Sequence, residues 1–466
     1  MTVVAQRAFV IDWKNLGRWV LPKTLLLARH LPKGWSLARV GGIVRQVSER
    51  VRVEAAKEYK MIGVKWYGEG TFHRETVRGN SLSATWVTPV IPNAFIYNRL
   101  FAWKGSFAVV PQEHGGHFVS NEFPQFIVDE KRVLSSYLYL FFMCDGTIRA
   151  VNASSIGSAA VSRNRLKEDE FLSFDIPLPP PSTQRVIVRR WEKAQEEIAG
   201  ARQTIEQLNL DIDRQFMNEI GIKLKIFDNS RKVLAVWWKQ LARWDVVFAK
   251  NLGGDFRSNL YPNVTIADVI QPLRQTTKRT DPRVTPKAHF NYIGLANVES
   301  QTGRLVGFSS KLGEDIESSC VVYDQEHILY SKLRPYLRKA IVPSEFGLAE
   351  GVASSEFLPI KPAKPVLRDF LTHYLCSSAV ELQAKQAVGA RMPRISPDAL
   401  LKFSIPLPPL KVQHEIIEKI QETRGRIAKE REKARQVEIA SKQQVEEMIL
   451  GTRPAPLLSG AKTRLP

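Results

Sequence analysis

Residues 174–181 read FDIPLPPP, and residues 403–409 read FSIPLPP. So many prolines in so short a stretch exclude helix interior, and proline rarely sits within a sheet. Each copy therefore reads as a stiff, extended connector. Its repetition asks whether the whole chain is a duplication. Phe174 and Phe403 stand 229 apart (403 − 174). At that spacing Arg165 falls on Arg394, Asp169 on Asp398 and Leu172 on Leu401. Upstream, Leu37 falls on Ile266, Val40 on Val269, and Arg45-Gln46 on Arg274-Gln275. In between the offset drifts slightly. MIGVKW (61–66) matches YIGLAN (292–297) at 231, and FIYNRL (95–100) matches ILYSKL (328–333) at 233. FAVVP (107–111) matches KAIVP (339–343) at 232, VSNEF (119–123) matches ASSEF (353–357) at 234, and VLSSYLYLFF matches VLRDFLTHYL at 233. An ordered series of this kind is an internal repeat with a few small insertions and deletions.

A long polar-apolar stretch follows each connector. In the first, Ile187, Trp191, Ala194, Ile198, Ala201, Ile205, Leu208 and Ile212 recur at alternating steps of four and three. That is an a/d heptad seam. The second runs through Ile416, Ile420, Thr423, Ile427, Glu430, Ala434 and Val437, then weakens from Ser441 to Met448. Neither has an internal proline and both are rich in Glu, Lys, Arg and Gln, so two long helices are expected. The narrow seam predicts that they pack on each other rather than each on its own domain. Short runs rich in β-branched and aromatic residues, such as VTPVIPNAFIYNRL, SFAVVP and CVVYDQEHILYSKL, read as strands. The expected fold class is α+β: two pseudo-repeated globular domains of mixed strands and helices, each closed by a connector and a long helix. The expected boundaries are a first domain over 1–175, connector and central helix over 176–235, a second domain over 236–404, connector and C-terminal helix over 405–450, and a flexible tail over 451–466.

The 466 residues carry 67 Lys and Arg against 47 acids, a net charge of +20. That excess points to a polyanionic partner, nucleic acid before an anionic membrane surface. Three scattered cysteines, Cys144, Cys320 and Cys376, lack metal-ligand spacing and predict a reduced, cytoplasmic protein. The longest apolar run, VLSSYLYLFFMC, is too short to span a bilayer. At the N-terminus, Asp12 and Lys14 interrupt any signal-peptide pattern.

Catalytic motifs are not found. GGIVRQ (41–46) lacks the Gly-Lys of a phosphate loop, and GEGTF (68–72) is a turn rather than a dinucleotide fingerprint. Both Pro-Pro pairs follow Leu, unlike the adenine-methylase signature. Glu58-Tyr59-Lys60 has a nuclease-like spacing without a convincing upstream Asp, and His114 and His117 have no evident third ligand. Basic residues, by contrast, recur at matched places. YNRL places Arg99 where YSKL places Lys332. RPYLRK adds Arg334, Arg338 and Lys339 in the second copy, and FAWKGS adds Lys104 in the first. AVSRNR holds Arg163 and Arg165; GARMPR holds Arg391 and Arg394. With Arg45, Gln46, Arg274 and Gln275 they form a candidate DNA-binding set, because Arg and Lys neutralise phosphates while Arg and Gln can read base edges bidentately.

The layout resembles the specificity subunit of type I restriction-modification systems. Its marks are two divergent domains, each followed by an IPLPP connector, a Gln a few residues on (Gln184, Gln413) and a long helix. RWDVVFAKNL (243–252) resembles the segment that opens a recognition domain in that family, and ILYSKLRPYLRKA resembles its strand-turn motif. The first copy, LGRWVLPKTLLLARHLPKGW, lacks the Asp that follows Arg-Trp in the second. The resemblance implies that each domain is a target recognition domain reading one half of a split DNA site. The helices, through Ile187, Trp191, Ile198, Ile205, Leu208, Ile416, Ile420, Ile427 and Val437, would form an antiparallel coiled coil that spaces the domains and docks methyltransferase subunits. Restriction subunits would join outside. S-adenosylmethionine, ATP and Mg would be used by those partners, with no cofactor, metal or membrane for this chain. A methylation-only system and a basic coiled-coil scaffold without sequence preference are the rival expectations.

Overall fold

The structure, a computed structural model, describes residues 31–154, 165–223, 257–387 and 393–456. Arg163, Arg391 and RWDVVFAKNL (243–252) lie outside the described residues. The chain divides into two compact units: residues 1–200 with 433–466, and residues 201–432.

Two long helices, Pro181–Glu219 and Leu410–Ile449, contribute to both units. At 1.5 Å per residue each extends roughly 60 Å. Proline placement explains where they begin: Pro181 occupies the first helical position, where a missing N–H costs nothing, and Pro409 immediately precedes the second. Each unit contains the start of one helix and the end of the other, so the two run antiparallel. In the first unit Ile187 and Val188 share a core with Val445, Met448 and Ile449, and Arg190 donates to the Gln444 amide oxygen at 2.8 and 3.0 Å. In the second, Leu208, Ile212 and Phe216 share a core with Ile416, Ile420 and Ile427, and Lys419 pairs with Glu219 at 2.8 Å. Ile187, Ala194, Ile198, Ala201, Leu208 and Ile212 are buried, with Trp191 and Ile205 half-buried between them. On the second helix Ile416, Ile420 and Ile427 are buried and Val437 is half-buried. Toward Met448 the seam positions Ser441 and Met448 stay buried, but the next seam position is Gln444 and the buried apolar residue beside it, Val445, lies one step off the seam. This end packs against a globular core rather than along a narrow seam, so its apolar positions leave the heptad pattern.

The connector is part strand. Asp175–Leu178 pairs antiparallel with Ser36–Arg39, and Ser404–Pro406 pairs with Asn263–Thr265. These are two-stranded ladders, where a proline can turn its missing donor away from its partner. Their register corrects the alignment at the start of each repeat. Ala38 faces Ile176 and Val264 faces Ile405; likewise Val40 N–H donates to the Phe174 carbonyl and Ile266 N–H to that of Phe403, each at 2.8 Å. The structural offset here is therefore 226 (264 − 38), not 229. Arg45 and Gln46 lie on strand Val44–Gln46, whereas Arg274 and Gln275 lie on the helical turn Leu273–Thr276. The Arg-Gln match in the sequence is not a structural equivalence.

Within the first unit, strands order as Val44–Gln46, Gln125–Val128, Phe95–Tyr97, Phe107–Val109 in one sheet. A five-stranded sheet centres on Phe118–Val119 and ends with the long hairpin Glu58–Val64 and Thr71–Arg78. Helix Ser135–Met143 contributes Phe142 to a ring cluster with Phe95, Tyr97, Phe107, Phe126 and Phe171. The second unit repeats the scheme. Ala340–Ile341, Ile328–Ser331 and Phe357–Ile360 form one sheet, and Tyr292–Ile293 runs parallel to Gly351–Ser354 in another, as Glu58–Val64 does to Phe118–Val119. Met61 faces Phe118 and Tyr292 faces Val352, which fixes the offsets 231 and 234 in register.

Candidate nucleic-acid interface

In both units the strand after the repeat's middle runs into a short 3-10 turn. The first turn is Ala102–Lys104 after Phe95–Tyr97; the second is Pro335–Leu337 after Ile328–Ser331. The same backbone bonds hold each. Arg99 N–H donates to the Glu122 carbonyl at 3.0 Å and Lys332 N–H to that of Glu356 at 2.8 Å. The Arg99 carbonyl accepts from Leu166 and the Lys332 carbonyl from Ile395, both at 3.0 Å. Arg99 and Lys332 thus occupy one structural position. Beside them Arg165 pairs with Glu122 at 3.0 Å, and Arg394 pairs with Glu356 at 2.7 Å. Arg165 and Arg394 are exposed beyond these pairs, so each keeps a face toward solvent.

Two expected DNA ligands are internal cations instead. The Arg99 guanidinium pairs with Glu168 and donates to the Asn121 carbonyl, leaving its side chain 23% exposed. Arg338 is 7% exposed and lies between Asp213 at 3.2 Å and Glu381 at 3.3 Å. A guanidinium neutralised in this way has no charge left over for a phosphate. Lys339 also turns inward, donating to the Leu295 carbonyl at 2.7 Å, and burial lowers its pKa.

Other members of the set face outward. Arg45, Gln46, Arg274, Gln275 and Arg334 are exposed, and Arg334 makes no ion pair among the described residues. Lys332 is half-buried. Burial lowers its pKa, Glu356 opposes that shift, and the nearby Arg279 and Arg394 add to it. Arg279, on the edge strand Arg279–Thr280, therefore joins the cluster. It is a residue that sequence pattern alone did not single out. Gln275 lines a cleft of about 550 Å³ together with Lys278, His289, Asn291 and Tyr323. Lys104 is half-buried against aromatic rings, its ammonium 3.8 Å from the Trp66 ring centre.

The joints between each domain and its long helix use side chains named earlier only as part of a pattern. Gln184 is fully buried, accepts from Leu134 N–H at 2.9 Å, and donates to the carbonyls of Arg132 and Pro179, both at 2.9 Å. Gln413 does the same with Leu367 N–H at 2.8 Å and the carbonyls of Pro365 at 3.1 Å and Pro408 at 2.8 Å. An amide has the two donors and the acceptor that this joint needs; a carboxylate does not. The helices Asp145–Ser154 and Ser378–Ala387 are each held by the far half of the other repeat's long helix. Glu446 accepts from Gly146 N–H at 3.1 Å, and Asp213 accepts from Ser378 N–H at 3.0 Å. Both acids sit at helix N-termini, where exposed N–H groups favour negative charge.

His73 joins His117 with ring centres 5.9 Å apart, and His117 lies 5.3 Å from His114. Among the described residues no group of three His, Cys, Asp or Glu side chains is arranged to hold a metal ion. Glu58 and Lys60 are exposed on one face of their strand, and Glu58 pairs with Arg78 at 3.8 Å. No helix among the described residues is long and apolar enough to cross a membrane.

The chain resembles known proteins. The chain is 23% identical over 337 residues to the specificity subunit of the type I restriction enzyme EcoDI from Escherichia coli, covering 69% of each chain. A chain of a type I R-M system, solved to describe complex assembly and conformational transition, aligns with a TM-score of 0.49 at 14% identity over 90% of this chain and 98% of that one. The HsdS subunit from Thermoanaerobacter tengcongensis aligns with a TM-score of 0.39 at 14% identity over 91% and 98%. The family model of the type I restriction modification DNA specificity domain matches residues 32–210 and again residues 263–439. With both repeats matched and most of its length accounted for, the chain belongs to the type I restriction-modification DNA specificity family and carries that family's domain twice.

Proposed function

We propose that the chain is the DNA-recognition subunit of a type I restriction-modification complex, each unit reading one half of a bipartite site. The observation that carries this is a joint built twice, in domains whose turns differ in chemistry. Gln184 and Gln413 make matching bonds, while the turns of the two domains differ in charge and shape. Two readers in one chain can diverge and read unrelated half-sites, unlike a homodimer on a palindrome. The candidate contacts are Arg45, Gln46, Lys104, Arg165, Arg274, Gln275, Lys332, Arg334 and Arg394. The antiparallel helices set the gap between half-sites and dock methyltransferase subunits, with restriction subunits joining the assembly.

On this reading the chain itself performs no catalysis and holds no cofactor. S-adenosylmethionine, ATP and Mg belong to the partner subunits. The partner is double-stranded DNA in the cytoplasm. The test is methylome sequencing of cells carrying this chain with its methyltransferase, before and after exchange of residues 36–174 for the matching domain of a relative. A bipartite motif in which only one half changes supports the proposal. Loss of both halves in a stable protein would refute independent reading, and equal affinity for all duplexes would favour a scaffold.

A further inference from the structure

The hairpin between Glu58–Val64 and Thr71–Arg78 ends in a turn that carries Trp66 and Tyr67. Trp66 is 41% and Tyr67 71% exposed. Tyr67 adopts a left-handed backbone, φ 56° and ψ 27°, which is strained for a bulky residue. The surrounding bonds enforce it. Lys65 N–H donates to the Gly70 carbonyl at 2.9 Å, Gly68 N–H to the Gly105 carbonyl at 2.9 Å, and the Tyr139 hydroxyl to the Gly68 carbonyl at 2.8 Å. Trp66 backs the turn: its ring packs on Phe101 with centres 5.1 Å apart, and Lys104 sits between Trp66 and Trp103, 3.8 and 5.0 Å from their ring centres.

The shared scaffold does not require these rings. The register that aligns Met61 with Tyr292 places Trp66 on Asn297 and Tyr67 on Val298. Asn297 bonds inward, to Gly294 N–H at 2.9 Å and to the carbonyls of Val306 and Gly307 at 3.2 and 3.0 Å, and Val298 is buried. The second unit closes the same turn on itself, while the first spends backbone strain to hold an aromatic ring in water.

We propose that Tyr67, backed by Trp66 and Lys104, is an aromatic wedge that stacks on a DNA base at or beside the half-site read by the first unit. The proposal rests on the DNA-recognition reading above. Aromatic rings stack on bases of any identity, and apolar wedges unstack a base step to bend the duplex toward the protein. Lys104 supplies a cation at the root of the wedge, where a phosphate flanking the opened step would lie. A protein partner is a poorer match, because two rings flanked by Lys65, Glu69 and Lys104 do not make the broad apolar patch that marks a protein interface.

The test uses the full chain without its methyltransferase, so that no base is extruded for methylation. The probe is a set of 30-base-pair duplexes bearing the methylation motif, with 2-aminopurine placed singly across the first half-site and its flanks. The wild-type chain should change the fluorescence at one step. Tyr67→Phe should keep that change. Tyr67→Gly should abolish it and weaken binding about tenfold, roughly the loss of one base stack. The same variant should raise the thermal midpoint, because glycine accepts the left-handed backbone freely. Stability and affinity moving in opposite directions separates a contact residue from a structural one. Wild-type binding without a fluorescence change at any position, or Tyr67→Gly binding undiminished, overturns the wedge and leaves the DNA reading intact. Tyr67→Gly that binds DNA normally but no longer co-elutes with the methyltransferase assigns the rings to protein docking instead. A wild-type chain that binds no duplex removes both readings.

Discussion

The turn after the central strand is one scaffold with two charge states. In the first unit Arg99 and Arg165 are matched by Glu168 and Glu122. In the second, Glu356 alone stands among Lys332, Arg394 and Arg279. The cause is local. Glu168 opens the short helix Glu168–Leu172, and the equivalent helix Pro397–Leu401 opens with Pro397, which carries no charge. A second difference lies at the end of the turn. Gly105 and Arg338 hold the same left-handed position, φ 71° and 51°, but only the arginine reaches the long helix Pro181–Glu219, through Asp213. The second unit fixes its reading turn with a buried ion cluster and leaves cations outside. The first neutralises Arg99 and Arg165, holds Lys104 against aromatic rings and shows those rings instead. One fold can therefore present unrelated surfaces to two half-sites while its joints to the long helices stay the same.

The largest expected break in that comparison is Arg338→Ala. It removes the cation that Asp213 and Glu381, each about a quarter exposed, share, and should cost about 3 kcal/mol. Gly105→Ala meets only the flexible end of Met143 at 3.1 Å plus the left-handed backbone, and should cost about 1 kcal/mol. Hydrogen exchange resolved by unit, read in urea, checks both. Equal losses would mean that the ion cluster adds nothing to the second unit.

Acid should separate the units next. His373 is buried against Phe216, with ring centres 4.5 Å apart, and burial, with help from Arg424 and Arg338, lowers its pKa to about 3. The first unit has Leu140 at that position. A histidine kept neutral in the fold gives full stability above its unfolded pKa of about 6.5, and that stability is lost as pH falls toward the folded value. Between pH 7 and pH 5 the second unit should lose about 2 kcal/mol, and His327, whose pKa burial also lowers, adds in the same direction. His373→Leu, which copies the first unit, should remove most of that acid sensitivity. A pH profile unchanged by His373→Leu would show that this histidine is not the titrating group.

The joints should respond alike. Gln184→Ala and Gln413→Ala each leave a buried N–H and two carbonyls without their partner, a loss of about 1 to 2 kcal/mol. Clearly unequal losses, measured by urea denaturation, would mean that the repeat is geometric but not energetic.

What the sequence disclosed follows from range. The repeat, the connectors and the long helices are local patterns of proline, glutamine and seam spacing, so they could be read directly. The partners of the basic residues could not. Asp213 meets Arg338 across 125 positions (338 − 213), and Glu168 reaches Arg99 only because the sheet brings Leu166 beside it. A lone Arg looks the same in sequence whether a carboxylate or a phosphate will face it. The Arg-Gln coincidence misled for the opposite reason: two identical letters outweighed a three-residue difference that only the strand register at Ala38 and Val264 exposes.

The smallest effect is the most specific. Arg334 is exposed, left-handed and without an ion pair among the described residues, on a turn whose net charge is positive. If it faces a phosphate, Arg334→Ala should weaken DNA binding several-fold and reduce the log–log dependence on salt by about one, since one released counterion is lost. The effect should be the same for matched and mismatched duplexes, because a phosphate carries no base identity. Arg99→Ala is the comparison variant in the first unit. Its guanidinium already answers Glu168, so its loss should lower the stability of the first unit and leave the salt slope unchanged. The two slopes, measured by fluorescence anisotropy across a salt series, test whether equivalent turns do different work. A slope lowered by Arg99→Ala and untouched by Arg334→Ala would reverse the assignment and place the free cation in the first unit.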